Sequence, residues 1–211
     1  MSTSAADLMA LSRVIPVVVL DDAEDAVPLA RALLAGGVPI MELTLRTPVA
    51  LESIARVAEQ VPDMLVGAGT ITRPEQATMA VSAGARFLVS PGSPEPLVTA
   101  MLAERVPVLP GVATATEALA LLRHGITEMK FFPAGPAGGP SYLEALAGPL
   151  PGVTFCPTGG VNHGNAADYL ALPNVACVGG SWLTPPTLVK GGYWDEISRL
   201  CVGAWSEEPQ D

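Results

Sequence analysis

The chain carries only two lysines, and one of them stands where a lysine is costly. Lys130 lies inside Met129-Lys130-Phe131-Phe132, an apolar run that reads as a strand. Lys190 precedes Gly191-Gly192, at the end of a short helical stretch, and reads as solvated. A strand lysine is ordinarily a snorkelling or ion-paired group. Held away from water, the amine can instead shed its charge, and a neutral amine condenses with a ketone to an imine whose protonated form is an electron sink. The run Ile40-Met41-Glu42-Leu43-Thr44-Leu45-Arg46 supplies a partner. Side chains alternate along a strand, so Glu42, Thr44 and Arg46 share one face and Met41, Leu43 and Leu45 the other. A Glu and an Arg on one face can be a simple ion pair. Beside an imine-forming lysine, Glu42 is a candidate general base and acid, and Arg46 a candidate ligand for a carboxylate.

Two glycine turns add a second chemistry: Thr158-Gly159-Gly160-Val161-Asn162 and Gly179-Gly180-Ser181. Each leads from an apolar run toward a helix start. Glycine lets backbone N–H groups approach an anion, and a helix N-terminus favours negative charge. One Gly-Gly pair is ordinarily just a turn, but two at successive strand ends point to phosphate. No metal site is expected, because the two histidines, His124 and His163, have no partner at ligand spacing. No G-x-G-x-x-G follows a strand, so dinucleotide binding is unsupported and no cofactor is expected.

These residues need elements to hold them. Eight apolar runs read as strands: Val14–Leu20, Val38–Leu45, Met64–Ala68, Arg86–Val89, Val106–Leu109, Thr127–Phe132, Val153–Cys156 and Asn174–Val178. Helical patterns lie between them, such as Ile54, Val57, Ala58 and Val61. Ser93-Pro94 and the capping box Thr114-x-x-Glu117 mark helix starts, while Gly36-Gly37, Gly84 and Gly125 mark helix ends. Prolines 91, 110, 133 and 157 mark strand ends. Eightfold strand–helix alternation implies parallel strands, and the expected fold is α/β: a (β/α)8 TIM barrel in a single compact domain, 1–211, with an N-terminal helix within Met1–Leu11. An open doubly wound sheet is the competing arrangement. The tail 206–211 is polar and expected to fray.

The 211 residues suit one domain, and 49% hydrophobic content is ample for a core. Charged residues make up 15%, against a usual ~25%. The net charge of -10 argues against a nucleic-acid or anionic-membrane partner. No apolar run reaches membrane-spanning length, and no secretory signal opens the chain. Cys156, Cys177 and Cys201 form no close-spaced pair, which fits a reduced, cytoplasmic protein.

The ordered motifs resemble those of the 2-keto-3-deoxy-6-phosphogluconate aldolase family, whose members also act on 4-hydroxy-2-oxoglutarate. The likeness runs through Ile15-Pro16-Val17-Val18-Val19, Glu42-Leu43-Thr44-Leu45-Arg46-Thr47, Val66-Gly67-Ala68-Gly69-Thr70, Ser90-Pro91-Gly92, Lys130-Phe131-Phe132-Pro133-Ala134, Phe155-Cys156-Pro157-Thr158-Gly159-Gly160 and Gly179-Gly180-Ser181-Trp182-Leu183. It implies a Schiff-base lysine at Lys130, a proton-transfer glutamate at Glu42 and carboxylate contacts at Arg46 and Thr70. Pro91 and Phe132 match residues packed around the keto acid. Gly159, Gly160, Gly180 and Ser181 match the phosphate region, and Thr158 stands where the substrate's hydroxylated middle should run and where epimers could be told apart. The resemblance also implies 2-keto acid and phosphorylated aldehyde substrates and a homotrimer. One stretch departs: Gly135-Pro136-Ala137-Gly138-Gly139 follows Ala134, where the family commonly carries a glutamate. Two other functions are compatible with such a barrel. One is an imine-free sugar-phosphate epimerase or isomerase with Lys130 as an electrostatic group. The other is a non-catalytic phosphometabolite-binding barrel, which would be expected to lack the Lys–Glu pair.

Overall fold

The computed structural model describes residues 4–203, so the 206–211 tail lies outside it. Nine short strands alternate with helices: β1 (Val14–Val18), β2 (Ile40–Thr44), β3 (Leu65–Gly69), β4 (Leu88–Val89), β5 (Val108–Leu109), β6 (Gly111–Val112), β7 (Glu128–Phe131), β8 (Thr154–Pro157) and β9 (Val178–Gly180). Every strand pairing is parallel, as the alternation predicts. The strands form two curled sheets, ordered β5-β4-β3-β2-β1-β9 and β6-β7-β8.

The expected single ring of eight strands is therefore not one continuous ladder. Pro110 divides the fifth strand: its first part pairs with β4 and its second with β7. Proline has no N–H, so the ladder changes partner there. At the other seam only isolated bridges, Phe155 to Val175 and Thr158 to Gly179, link β8 toward β9. The eighth strand lies at Val178–Gly180 rather than Asn174–Val178, because Leu172 to Val175 closes a turn, with the Val175 N–H donating to the Leu172 carbonyl at 3.1 Å. Pro157 is the last residue of β8 rather than the first beyond it, in register with Phe131.

Local signals place the helices. Thr114 caps Ala115–Leu122 through a reciprocal box: its hydroxyl accepts from the Glu117 N–H at 3.3 Å, and the Glu117 carboxylate accepts from the Thr114 N–H at 2.9 Å. The helix Glu95–Ala103 is capped by Pro94, one residue past the expected Ser93. Gly84, at φ 102°, ends the fourth helical stretch in a conformation other residues rarely adopt. The N-terminal helix spans Ala5–Ala10 and buries Leu8 and Met9. In the helix Ala50–Gln60 the predicted stripe is real: Ile54 and Val57 are fully buried against the sheet. Burial of such a side chain stabilises by about 1.5–3 kcal/mol. One apolar cluster runs from Leu8 to Cys201. Among the described residues no helix is long and apolar enough to cross a membrane.

Candidate active site

The alternation of β2 and β7 sets the centre of the site. Met41 and Leu43 pack outward among buried apolar groups, as do Met129 and Phe131. Glu42 and Lys130 take the opposite face, and both are almost fully buried, at 3% and 4% exposure. The Lys130 amine donates to Glu42 Oε1 at 3.2 Å, so each buried charge has its counter-charge. The amine also stands 5.4 Å from the centre of the Phe132 ring, within cation–π range. Gly69 ends β3 beside this pair, and a Cβ there would collide with the Glu42 carboxylate. Its lack of a side chain is what gives the carboxylate its room.

Arg46 lies two residues beyond its strand. β2 ends at Thr44, where the chain turns and the Arg46 N–H donates back to the Thr44 carbonyl at 2.8 Å. Arg46 is consequently exposed, and the ion partner of Glu42 is Lys130. Arg46 does meet Thr70, donating from Nε to its hydroxyl at 3.1 Å. Thr70 sits at φ 59°, in the left-handed region that a β-branched residue rarely enters. Such strain concentrates at functional sites and costs about 1–3 kcal/mol. Thr44 is buried on the Glu42 side, but its hydroxyl is engaged with the Val18 carbonyl at 3.0 Å. Pro91, just beyond β4, is half-buried and packs its backbone against Gly111, where a Cβ would clash.

A cavity of about 350 Å³ opens at the C-terminal ends of β1, β7, β8 and β9. Its walls include Arg46, Phe132, Thr158, Gly159, Gly160, Gly180 and Ser181, all singled out by sequence. Lys130, Glu42, Thr70 and Pro91 are not part of this wall. Arg46 is its one charged residue. Gly160 has φ 81°, and its Cα side faces Gly135, where a Cβ would come within 3.3 Å of the Gly135 Cα. The Gly135 N–H donates to the Gly159 carbonyl at 2.8 Å, so the departing loop is tied to the glycine turn. Thr158 is buried, its hydroxyl 3.4 Å from the Cys156 carbonyl, and a Cβ at Gly179 would strike that hydroxyl.

Lys190 is exposed and paired with Asp21 at 2.8 Å. That hydrogen bond, with the attraction of the same carboxylate, raises its pKa above the ordinary lysine range and keeps it protonated. It is thus a poor nucleophile. Among the described residues, no group of three or more His, Cys, Asp or Glu side chains is placed to hold a metal ion. Sequence reasoning missed Gly69 and Thr184 as site residues. Gly69 stands inside a quoted motif, yet its role depends on a neighbouring strand; Thr184 carries no local signal beyond its place after Ser181-Trp182-Leu183.

Comparison with known proteins accords with this geometry. The family model for KDPG and KHG aldolase matches residues 6–200. The 2-dehydro-3-deoxy-phosphogluconate aldolase of Dickeya dadantii is 48% identical over 94% of this chain and 93% of its own. KDPG aldolase from Legionella pneumophila, solved with pyruvate captured as a covalent carbinolamine intermediate, superposes with a TM-score of 0.94 at 47% identity, covering 97% of this chain and 99% of that one. The Zymomonas mobilis aldolase, solved with 3-phosphoglycerate, gives a TM-score of 0.90 at 39% identity, covering 99% and 98%. With the match spanning nearly every strand and helix that builds the site, the chain belongs to the KDPG and KHG aldolase family.

Proposed function

We infer that this enzyme is a Schiff-base, class I aldolase. It reversibly cleaves 2-keto-3-deoxy-6-phosphogluconate to pyruvate and glyceraldehyde 3-phosphate, and 4-hydroxy-2-oxoglutarate to pyruvate and glyoxylate. The observation that carries this reading is the buried Lys130–Glu42 contact at 3.2 Å. The pyruvate carbinolamine of the Legionella relative supports the imine route.

The chemistry follows from the pair. Proton transfer from Lys130 to Glu42 yields a neutral amine beside a neutral acid. The amine adds to the substrate's C2 ketone, and Glu42 protonates the departing hydroxyl, giving the iminium. The Glu42 carboxylate then takes the C4 hydroxyl proton, the C3–C4 bond breaks, and its electrons enter the iminium as an enamine. The aldehyde leaves, Glu42 returns the proton to C3, and hydrolysis frees pyruvate. Each step leaves the carboxyl group in the protonation state that the next one needs.

Arg46 and Thr70 bind the keto-acid carboxylate, and Pro91 and Phe132 pack around it. The phosphate rests on the N–H groups of Gly159, Gly160 and Gly180 and on Ser181, neutral donors suited to a cavity with one charged residue. Thr158 meets the substrate's hydroxylated middle and favours the gluconate-derived epimer. The two sheets are arcs of one (β/α)8 barrel and one domain, a reading supported by the bridges from β8 toward β9. Assembly is as a homotrimer, for which the family resemblance speaks, and three buried free thiols suit the reducing cytoplasm.

Borohydride trapping tests the central step. Incubation with pyruvate and reductant should add one reduced pyruvyl group, mapped to Lys130 by peptide mass spectrometry, and Lys130→Met should carry none. An adduct on Lys190, or no adduct at all, would overturn the imine mechanism.

A further inference from the structure

Among the described residues six serine and threonine side chains are buried: Ser12, Thr44, Ser53, Ser90, Thr158 and Thr184. Five of them spend their hydroxyls inside the protein, on the carbonyls of Val14, Val18, Val49, Gly92 and Cys156 respectively. The sixth does not. Thr184 is 5% exposed, and among the described residues its Oγ1 finds no hydrogen-bond partner. A buried hydroxyl left unpaired is destabilising, and valine would fill the same volume without that cost. The position therefore calls for an explanation in what the hydroxyl does.

The surroundings supply one. Thr184 closes the turn that follows β9, its N–H donating to the Ser181 carbonyl at 3.1 Å. That turn brings Thr184 into the wall of the 350 Å³ cavity that Gly159, Gly160, Gly180 and Ser181 also line. Among the described residues no lysine and no acidic residue lines this cavity, so an anion there must be held largely by neutral donors. A phosphate monoester has three terminal oxygens, each able to accept more than one hydrogen bond. An unspent buried hydroxyl in such a wall matches that demand.

We propose that Thr184 is a further specificity-determining residue: its hydroxyl donates to the substrate's phosphate and raises the preference for phosphorylated over unphosphorylated 2-keto acids. The proposal rests on the aldolase reading above.

Two pairs of variants isolate the hydroxyl. Thr184→Val keeps the branched shape, and Thr184→Ala set against Thr184→Ser compares two truncated side chains that differ in the hydroxyl alone. The main readout is the ratio of kcat/KM for 2-keto-3-deoxy-6-phosphogluconate to that for 2-keto-3-deoxygluconate. Loss of one hydrogen bond to a charged group should lower it about tenfold in Val and Ala, with Ser within about twofold of wild type. The second readout is the rise in melting temperature produced by inorganic phosphate, which should shrink in Val and Ala and persist in Ser. Without phosphate, Thr184→Val should melt no lower than wild type.

A hydroxyl with a purely structural role would instead lower that ligand-free melting temperature and leave the substrate ratio intact, which overturns the proposal. An unchanged ratio in Thr184→Val, with Ser181→Ala lowering it, overturns the role of Thr184 while the phosphate site stands. If Thr184→Val does not fold, the Ala and Ser variants decide by the same criteria. A wild-type enzyme that traps pyruvate on Lys130 but shows no preference for the phosphorylated substrate overturns the proposal and the phosphate site together. Failure to trap pyruvate overturns the aldolase reading itself.

Discussion

Glu42 and Lys130 meet across two sheets: the carboxylate on β2 lies 3.2 Å from the amine on β7, although 88 residues separate them in sequence. The contact is short enough for direct proton transfer and too buried for bulk water to compete. Glu42→Gln preserves the shape and removes the proton carrier. Cleavage should slow by roughly 10²–10⁴-fold, and exchange of the pyruvate methyl protons should fall in parallel. Near-normal exchange, with the imine still forming on Lys130, would assign the proton transfer to another group.

Gly69→Ala tests the space given to that carboxylate. The added methyl group would collide with Glu42, so the pair must shift or the strand must move. Overpacking of this kind costs about 1–3 kcal/mol of stability. The turnover number should fall at least tenfold while the protein stays folded by circular dichroism. Full activity in Gly69→Ala would mean that Glu42 works equally well elsewhere.

Thr70 should show a trade between stability and binding. At φ 59° a glycine would relieve the backbone strain, and Thr70→Gly should gain about 1 kcal/mol in urea unfolding if relief outweighs the added chain entropy. The same change removes the hydroxyl that accepts from Arg46. The KM for pyruvate exchange should rise severalfold. A variant that is neither steadier nor weaker in binding would contradict both roles.

Gly160→Val should act on the phosphate end alone. Its φ of 81° is unsuited to a branched residue, and the new side chain would press on Gly135. The KM for the phosphorylated substrate should increase far more than that for pyruvate exchange, as read from steady-state kinetics on both. Equal increases would remove phosphate from this turn.

Alkaline stability should report the buried thiols. Desolvation raises the Cys201 pKa to about 11, from an ordinary 9.0. Cys177 is pushed well up as well, by a hydrogen bond with Cys156 and by burial. An acid whose folded pKa is raised stabilises fully below its unfolded pKa and loses that contribution as pH climbs toward the folded value, because the unfolded thiol releases its proton first. The urea midpoint should therefore decline between about pH 9 and pH 11. Cys201→Ala should flatten part of that decline, whatever it costs in packing, and an unaltered slope would clear Cys201 of the effect.

Much of the site was legible because its signals are local. A lysine among Met129, Phe131 and Phe132 announces its own burial, and alternation assigns Glu42 to the inner face without knowledge of any partner. Alternation also carries Arg46 toward the mouth, where it lines the cavity, although β2 ends at Thr44, one residue before the expected end at Leu45. Pro110 was read as a strand end, whereas the chain continues beyond it and changes its hydrogen-bonding neighbour. Gly69 and Thr184 owe their meaning to atoms on other strands and turns, and no spacing within the sequence encodes that.

The cavity wall of glycines and hydroxyls also governs how substrate arrives. Dipoles hold an anion strongly at contact, but their fields fade quickly with distance, leaving the approach to the net charge of -10. A phosphorylated keto acid must thus diffuse inward against repulsion, with Arg46 the one charged residue among the described residues that line the cavity. Salt shortens the reach of that repulsion to about 10 Å at 0.1 M. Capture should quicken as ionic strength rises from very low values, the reverse of an enzyme that draws its anion in through a basic funnel.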